Sequence, residues 1–363
     1  MKVALVIHSL GIGGMERVMA HLIQEFSTYE NVEVHVILIG NKREVKYNLP
    51  NSVTIHKPEW EFNNDKRFWH TLKTVAFIRK KLKEINPNTV LSFGEMWNNL
   101  LLIASLGLHF NIYVSDRSIP GKNLGKLQNL LRNKLYPLAK GFIAQTEKSE
   151  KIAKKYKWNN NIQVIGNPVP AFTFSTNNLR KQNVLMVSRL IKTKKVDRLI
   201  DMFASVNQTK SWKLIVVGGN AKKMNLLEEY RQEVQDKKLE NEVYLVGEQN
   251  NVHTFYAEAA IFAFTSVSEG FPNALAEAMS AGCACIAYDC MAGPSDMIDD
   301  GVNGFLIQEN DEKSFTEKLN KLMQDASLRE QFGWAAKEKM KTFEGKAIAK
   351  KFYRFITQHS ASN

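Results

Sequence analysis

The sequence has no run of about 20 uninterrupted apolar residues, the length a helix needs to cross a bilayer, so no membrane span is expected. Cysteine is scarce: Cys283, Cys285 and Cys290 are the only three in 363 residues, and no histidine stands near them. That pattern argues against a disulfide framework or a metal site and for buried thiols in a reducing compartment. No Asp-x-Asp pair offers ligands to a divalent cation, and no recognisable nucleic-acid-binding module is present. The amino terminus, Met1 to Ile7, is too short an apolar run for a signal peptide and leads into a glycine-rich turn; it reads as a buried strand.

Acidic residues are missing from one half in particular. Residues 1–170 carry 24 Lys and Arg against 13 Asp and Glu, whereas residues 171–363 carry 25 against 24. Nearly all of the net charge of +12 therefore lies in the first half. Basic side chains are densest over 117–157, where 11 are opposed only by Glu147 and Glu150. A second cluster, Lys66, Arg67, Lys73, Arg79, Lys80, Lys81 and Lys83, is interleaved with Trp60, Phe62, Phe68 and Trp69. Solvated helix faces are the competing reading of this charge. Its one-sidedness favours an anionic partner: membrane phospholipid, nucleic acid or a phosphorylated substrate.

What is present is an alternation of strand and helix patterns, in a chain too long for one ordinary core. Strand-like runs at 2–8, 32–39, 53–56, 89–93, 111–115, 142–144 and 162–165 are separated by helical spacing over 15–26, 66–85, 97–106, 124–138 and 147–156. A turn-rich stretch from Gly166-Asn167-Pro168 to Asn178 interrupts the pattern and reads as a linker. The alternation restarts with strands at 184–188, 212–217, 242–246, 261–265 and 285–288, and three helical patterns close the chain, the last over 347–356. The expected class is α/β, with two doubly wound parallel sheets, and ligands at the carboxyl ends of the strands in a cleft between the domains.

Three segments fall at such strand ends. Gly11-Ile12-Gly13-Gly14-Met15-Glu16-Arg17 lies between a strand and a helix, where glycines let backbone amides approach an anion. A merely tight turn is the competing reading, and a dehydrogenase is disfavoured because Glu16 stands where the dinucleotide fingerprint needs its third glycine. Arg189 and Lys194 are two cations five residues apart that would clamp a diphosphate, unless they belong to a solvated basic loop. In Ser268-Glu269-Gly270-Phe271-Pro272-Asn273-Ala274-Leu275-Ala276-Glu277, Pro272 fits a helix start. The amides of Asn273, Ala274 and Leu275 would then face an anion, with Glu269 before the helix and Glu277 one turn inside it.

The Arg-x4-Lys, the Glu-x7-Glu and the Gly-Gly-x-Glu-Arg opening occur in order, together with Gly166-Asn167-Pro168-Val169, Asp289-Cys290-Met291-Ala292-Gly293-Pro294-Ser295 and Asp300-Gly301-Val302-Asn303-Gly304-Phe305-Leu306. Over nearly the whole chain this resembles the retaining glycosyltransferases of family 4, and within them a subset acting on capsule, lipopolysaccharide or lipid-linked oligosaccharide precursors. The resemblance implies the GT-B fold, two Rossmann-like domains facing across a cleft. Residues 1–170 would bind the acceptor, 171–344 the nucleotide-sugar donor, and the helix within 345–363 would pack back on the first domain.

It also implies roles. Arg189 and Lys194 would hold the donor diphosphate, Glu277 the ribose, and Glu269 with the backbone of Gly270, Phe271, Pro272 and Asn273 the donor sugar. The base would rest near Gly247, and Gly13 and Gly14 would border the diphosphate and the acceptor hydroxyl. Glu95, Asp116 and Arg117 are acceptor-side candidates, with His8 at a further strand end; many relatives carry a histidine where this chain has Ser115-Asp116-Arg117-Ser118, and no general base is assigned. The expected reaction moves a hexose or N-acetylhexosamine from a nucleotide diphosphate, UDP foremost, to a lipid-linked or polysaccharide acceptor. No metal or other cofactor and no nucleic acid are expected; an anionic membrane surface is, at the cytoplasmic inner face of the cell membrane. A nucleotide-sugar epimerase or hydrolase, and a non-enzymatic nucleotide- or nucleic-acid-binding protein, are the alternatives.

Overall fold

A computed structural model describes residues 1–40, 43–172, 180–221, 224–291 and 293–359. The end of the expected linker, 173–178, and Ala292 lie outside the described residues. The strands are β1 (Lys2–Ile7), β2 (Glu33–Leu38), β3 (Thr54–His56), β4 (Thr89–Phe93), β5 (Asn111–Ser115), β6 (Gly141–Ala144), β7 (Ile162–Val164), β8 (Lys181–Val187), β9 (Lys213–Val217), β10 (Val243–Gly247), β11 (Ala259–Phe264), β12 (Ala284–Tyr288) and β13 (Phe305–Ile307). The helices are α1 (Gly14–Phe26), α2 (Arg67–Ile85), α3 (Glu95–Ser105), α4 (Lys126–Leu135), α5 (Glu147–Lys155), α6 (Val196–Val206), α7 (Leu226–Asp236), α8 (His253–Glu258), α9 (Asn273–Ser280), α10 (Glu312–Gln324), α11 (Ala326–Met340) and α12 (Gly345–Thr357). The strand β13 and the six-residue α8 are absent from the sequence-level reading, since each is too short to show a period.

The chain divides into two compact units, Met1–Pro168 with the segment from Gly345 onward, and Val169–Glu344. The first contains a parallel sheet in the order β3-β2-β1-β4-β5-β6-β7. Helix α12 joins it because Ile348, Phe352, Phe355 and Ile356 fall on one helical stripe and are buried. Phe352 packs on Phe93 and Phe355 on Tyr113, with ring centroids 5.9 and 5.2 Å apart, and Thr89 Oγ1 donates to the Ile356 carbonyl at 2.7 Å.

The second unit contains a parallel sheet in the order β10-β9-β8-β11-β12-β13. Leu199, Phe203, Trp212, Phe315 and Phe332 fill one core cluster, and Phe262, Leu275, Met279 and Met297 another. Cover on both faces explains the near-continuous apolar strands. Cys283, Cys285 and Cys290 are buried there and form no disulfide among the described residues, and burial pushes the Cys283 and Cys285 thiols up. In each sheet the strand order reverses once, between β1 and β4 and between β8 and β11. Helices on either side of such a reversal leave in opposite directions and open a crevice at the carboxyl ends of the two strands.

Candidate functional site

The crevice of the second unit lies at the ends of β8 and β11. Beyond β8 the chain passes so close to β9 that a Cβ on Gly218 would stand 1.7 Å from the Ser188 carbonyl oxygen, and Gly218 has φ +146°. Only glycine permits this approach. The Ser188 amide donates to the Val217 carbonyl at 3.0 Å, Leu190 to Gly219 at 2.9 Å and Gly218 to Gly247 at 2.8 Å. Three strand ends are thereby laced into one ledge. It carries Arg189, which is exposed and has no polar partner among the described residues, and Gly247, at φ +76°.

After Arg189 the chain makes one tight turn, Lys192–Lys194, and Lys195 takes a left-handed conformation at φ +55° before α6. Two bonds tie this turn to the chain leaving β11: Thr265 Oγ1 donates to the Lys194 carbonyl at 2.7 Å, and the Val267 amide to Thr193 at 3.0 Å. The Lys194 side chain is buried and its ammonium pairs with Glu269. The first cation of the Arg-x4-Lys is thus unengaged, and the second already holds the first carboxylate of the Glu-x7-Glu.

Gly270, Phe271 and Pro272 lead into α9, with Phe271 and Pro272 buried. One expectation needs correction. The Asn273 amide does not face outward as a free donor, because it donates to the Phe271 carbonyl at 2.9 Å. The amides of Ala274 and Leu275 have no partner among the described residues, so the donors at this helix start are two rather than three. Glu277, one turn further, accepts a hydrogen bond from the Tyr256 hydroxyl at 3.1 Å. Tyr256 is fully buried in α8, its ring against Phe172 and Phe262. Sequence reading missed it, since nothing local marks an aromatic in a short helix as the partner of a carboxylate 21 positions away.

The crevice of the first unit lies at the ends of β1 and β4. Here the Glu16 carboxylate folds back over the loop, to 2.3 Å from where a Cβ on Gly13 would stand. Glu16 Oε1 lies 3.1 Å from His8 Nε2, and the His8 ring stacks on Trp97 at 5.7 Å with 9° between planes. Burial alone would raise the Glu16 carboxyl, but bonds from His8 and the backbone hold it below its ordinary value. Gly14 is the first residue of α1.

The acceptor-side candidates separate. Glu95 opens α3 half-buried and accepts from the amide of Ser118 at 3.1 Å and from its hydroxyl. Arg117 lies over the Phe93 ring at 4.3 Å and donates to Asn167 Oδ1. Asp116 is a correction: it is buried inside the unit and does not present itself to an acceptor. Tyr136 and Asn98 donate to its Oδ1 at 2.5 and 3.3 Å, and Arg132 stands 3.6 Å away over the Trp158 ring. Burial, with the charge of Glu95, pushes the Asp116 carboxyl up to about 7.

Residues 12–171 match the family model Glycosyltransferase Family 4, and residues 171–339 match Glycosyl transferases group 1. The chain is 28% identical over 349 residues to an amylovoran biosynthesis glycosyltransferase of Erwinia amylovora, covering 94% of this chain and 95% of the relative. It is also 28% identical over 378 residues to a Campylobacter jejuni N-acetylgalactosamine-N,N'-diacetylbacillosaminyl-diphospho-undecaprenol 4-alpha-N-acetylgalactosaminyltransferase, covering 98% of this chain and 99% of that one. Among solved structures, a lipopolysaccharide outer core galactosyltransferase, WaaB, superposes with TM-score 0.79 at 24% identity over 99% of both chains. Anabaena HepE in complex with UDP superposes with TM-score 0.80 at 18% identity over 99% of this chain and 100% of that one.

Proposed function

Because the chain belongs to the glycosyltransferases, a family 4 domain followed by a group 1 domain on the GT-B fold, we propose that it transfers a hexose or N-acetylhexosamine with retention from a UDP-sugar to a lipid-linked or polysaccharide acceptor. The observation that carries this reading is the charge pattern at the β8/β11 reversal. An unengaged Arg189, the Lys194–Glu269 pair and two free helix amides meet where the strand order reverses. Arg189, Lys194 and the amides of Ala274 and Leu275 take the diphosphate, Glu277 the ribose hydroxyls, and Gly247 borders the base. Glu269, with Gly270 to Asn273, takes the sugar. HepE in complex with UDP supports the choice of nucleotide. The diphospho-undecaprenol in the name of the Campylobacter relative supports a lipid-linked acceptor.

In the reaction the bond from the anomeric carbon to the diphosphate oxygen breaks, its electron pair leaving with UDP. The acceptor oxygen bonds to that carbon on the same face, and its proton passes to the departing phosphate. Positive charge builds on the sugar and negative charge on the leaving group. Donors fixed beforehand toward that negative charge are worth about 2.7–4 kcal/mol each in model enzymes. With two cations and two amides in this role no metal is required, and activity should survive a chelator. The basic excess of residues 1–170 suits work at the anionic inner face of the cell membrane; no helix among the described residues is long and apolar enough to cross it.

The test is thermal stabilisation by UDP-, GDP-, ADP- and TDP-sugars, repeated with Arg189→Ala and Glu277→Ala. A ligand of the folded state raises the melting point as RT ln(1 + [L]/Kd). A shift specific to UDP-sugars, lost in both variants, is expected. No shift with any nucleotide sugar would refute the donor site.

A further inference from the structure

We propose that the amino-terminal ends of α2, α3 and α4 form the docking surface of the first unit for an anionic lipid bilayer, with Phe68, Trp69, Leu72, Leu127 and Leu130 as its apolar contacts. The proposal rests on the reading of a membrane-borne acceptor and deepens it by naming the surface.

Helix α2 buries Thr74, Ile78, Leu82 and Ile85. At 100° per residue the opposite side carries Trp69, Leu72 and Ala76, with Phe68 and Lys73 at its margins, all of them exposed. Phe68 and Trp69 are 69% and 65% exposed, unusual for adjacent large aromatics on a soluble helix. On α4, Leu127 and Leu130 are exposed at 66% and 56%, with Lys126 and Lys134 exposed beside them. The two patches share one edge. Each of the three helices follows a strand of the parallel sheet, so their amino termini all lie at its carboxyl edge. Their first turns converge on a cavity of about 300 Å³ lined by Arg67 and Thr71 of α2, Met96 and Trp97 of α3, and Gln128 of α4. Trp97 is the ring that stacks on His8, so this edge adjoins the β1/β4 crevice.

Charge decides the occupant. No Asp or Glu occurs from Lys66 to Lys83 or from Arg117 to Lys140. Along α2 a depression of about 510 Å³ gathers Lys57, Lys73, Lys80 and Lys81 with Glu59 around Trp60 and Phe77, and Glu84 lies 3.7 Å from Lys80 and 2.7 Å from Lys81. Lys66 and Lys73 of the exposed aromatic end, and Lys126 at the start of α4, have no carboxylate partner among the described residues. Aromatic and leucine side chains beside Lys66, Lys73 and Lys126 match the layered chemistry of a membrane interface, acyl chains below and phosphate above.

The experiment is co-sedimentation of the full chain, without donor or acceptor, with phosphatidylcholine vesicles lacking or containing phosphatidylglycerol. Binding only to the anionic vesicles, weakened by high salt, is expected. Phe68→Ser/Trp69→Ser and Lys66→Glu/Lys73→Glu variants should each bind at least about tenfold more weakly with an unchanged melting point, because these side chains are exposed. Trp69 fluorescence should shift to the blue on vesicles, and Trp69→Phe should remove that shift. Equal binding to both vesicle types, or wild-type partitioning by Phe68→Ser/Trp69→Ser, overturns the proposal. So does a wild-type dimer that this double variant converts to monomer. Stabilisation by nucleotide sugar, measured on the same variants, separates this surface from the donor site: it should persist when vesicle binding is lost.

Discussion

At the scale of single residues, the carboxylates are held by neighbours distant in sequence. Tyr256 occupies one oxygen of Glu277 and is locked by its own burial, so it orients the carboxylate rather than touching substrate. Replacing it with Phe should raise the donor KM several-fold, by the roughly 0.5–1.5 kcal/mol of one hydrogen bond, and leave kcat nearly unchanged. Steady-state kinetics against donor concentration check this. A purely structural role would instead lower the melting point without altering the KM.

Asp116 carries the pH prediction. Its folded-state carboxyl is raised from 3.8 to about 7. The stability it contributes is therefore fully present below its unfolded value and is lost as pH rises through about 7. Asp116→Asn removes the titration and keeps an oxygen for Tyr136. The melting point of this variant relative to wild type should rise between pH 5.5 and pH 8, and parallel curves would refute the assignment.

At the scale of elements, the site depends on close passages that a single methyl group would block. Gly218 combines positive φ with a neighbouring carbonyl where its Cβ would lie, so Gly218→Ala must part β8 from β9 at the ledge carrying Arg189. A loss of at least about 2 kcal/mol is expected, read as a lower melting point, together with loss of stabilisation by nucleotide sugar. The start of α9 shows the same dependence on local detail. A proline before a helix is legible in the sequence, but the bond from the Asn273 amide to Phe271 follows from how the loop turns.

At the scale of the whole molecule, the first unit is discontinuous in sequence. Removing the chain from Gly345 onward would expose the faces that Ile348, Phe352, Phe355 and Ile356 cover. At roughly 1.5–3 kcal/mol per large apolar side chain, this loss rivals the entire stability of a typical domain, about 5–15 kcal/mol. The truncated protein should give an aggregated or partly unfolded first unit, visible as lost near-ultraviolet circular dichroism. A cooperative melt like that of the full chain would contradict this.

Local periodicity determined much of the molecule from sequence alone. Apolar runs and helical spacing mark most strands and helices, because each pattern repeats within a few residues, and the stripe on α12 is legible for the same reason. Composition likewise shows the basic half and the buried thiols. The tertiary structure alone decided which strand ends adjoin, that Lys194 holds Glu269, that Tyr256 reaches Glu277, and that Asp116 turns inward to Tyr136 and Arg132. Each of these joins residues 16 to 75 positions apart. Such contacts arise from packing between elements, where the partner is chosen by shape and burial rather than by its neighbours along the chain.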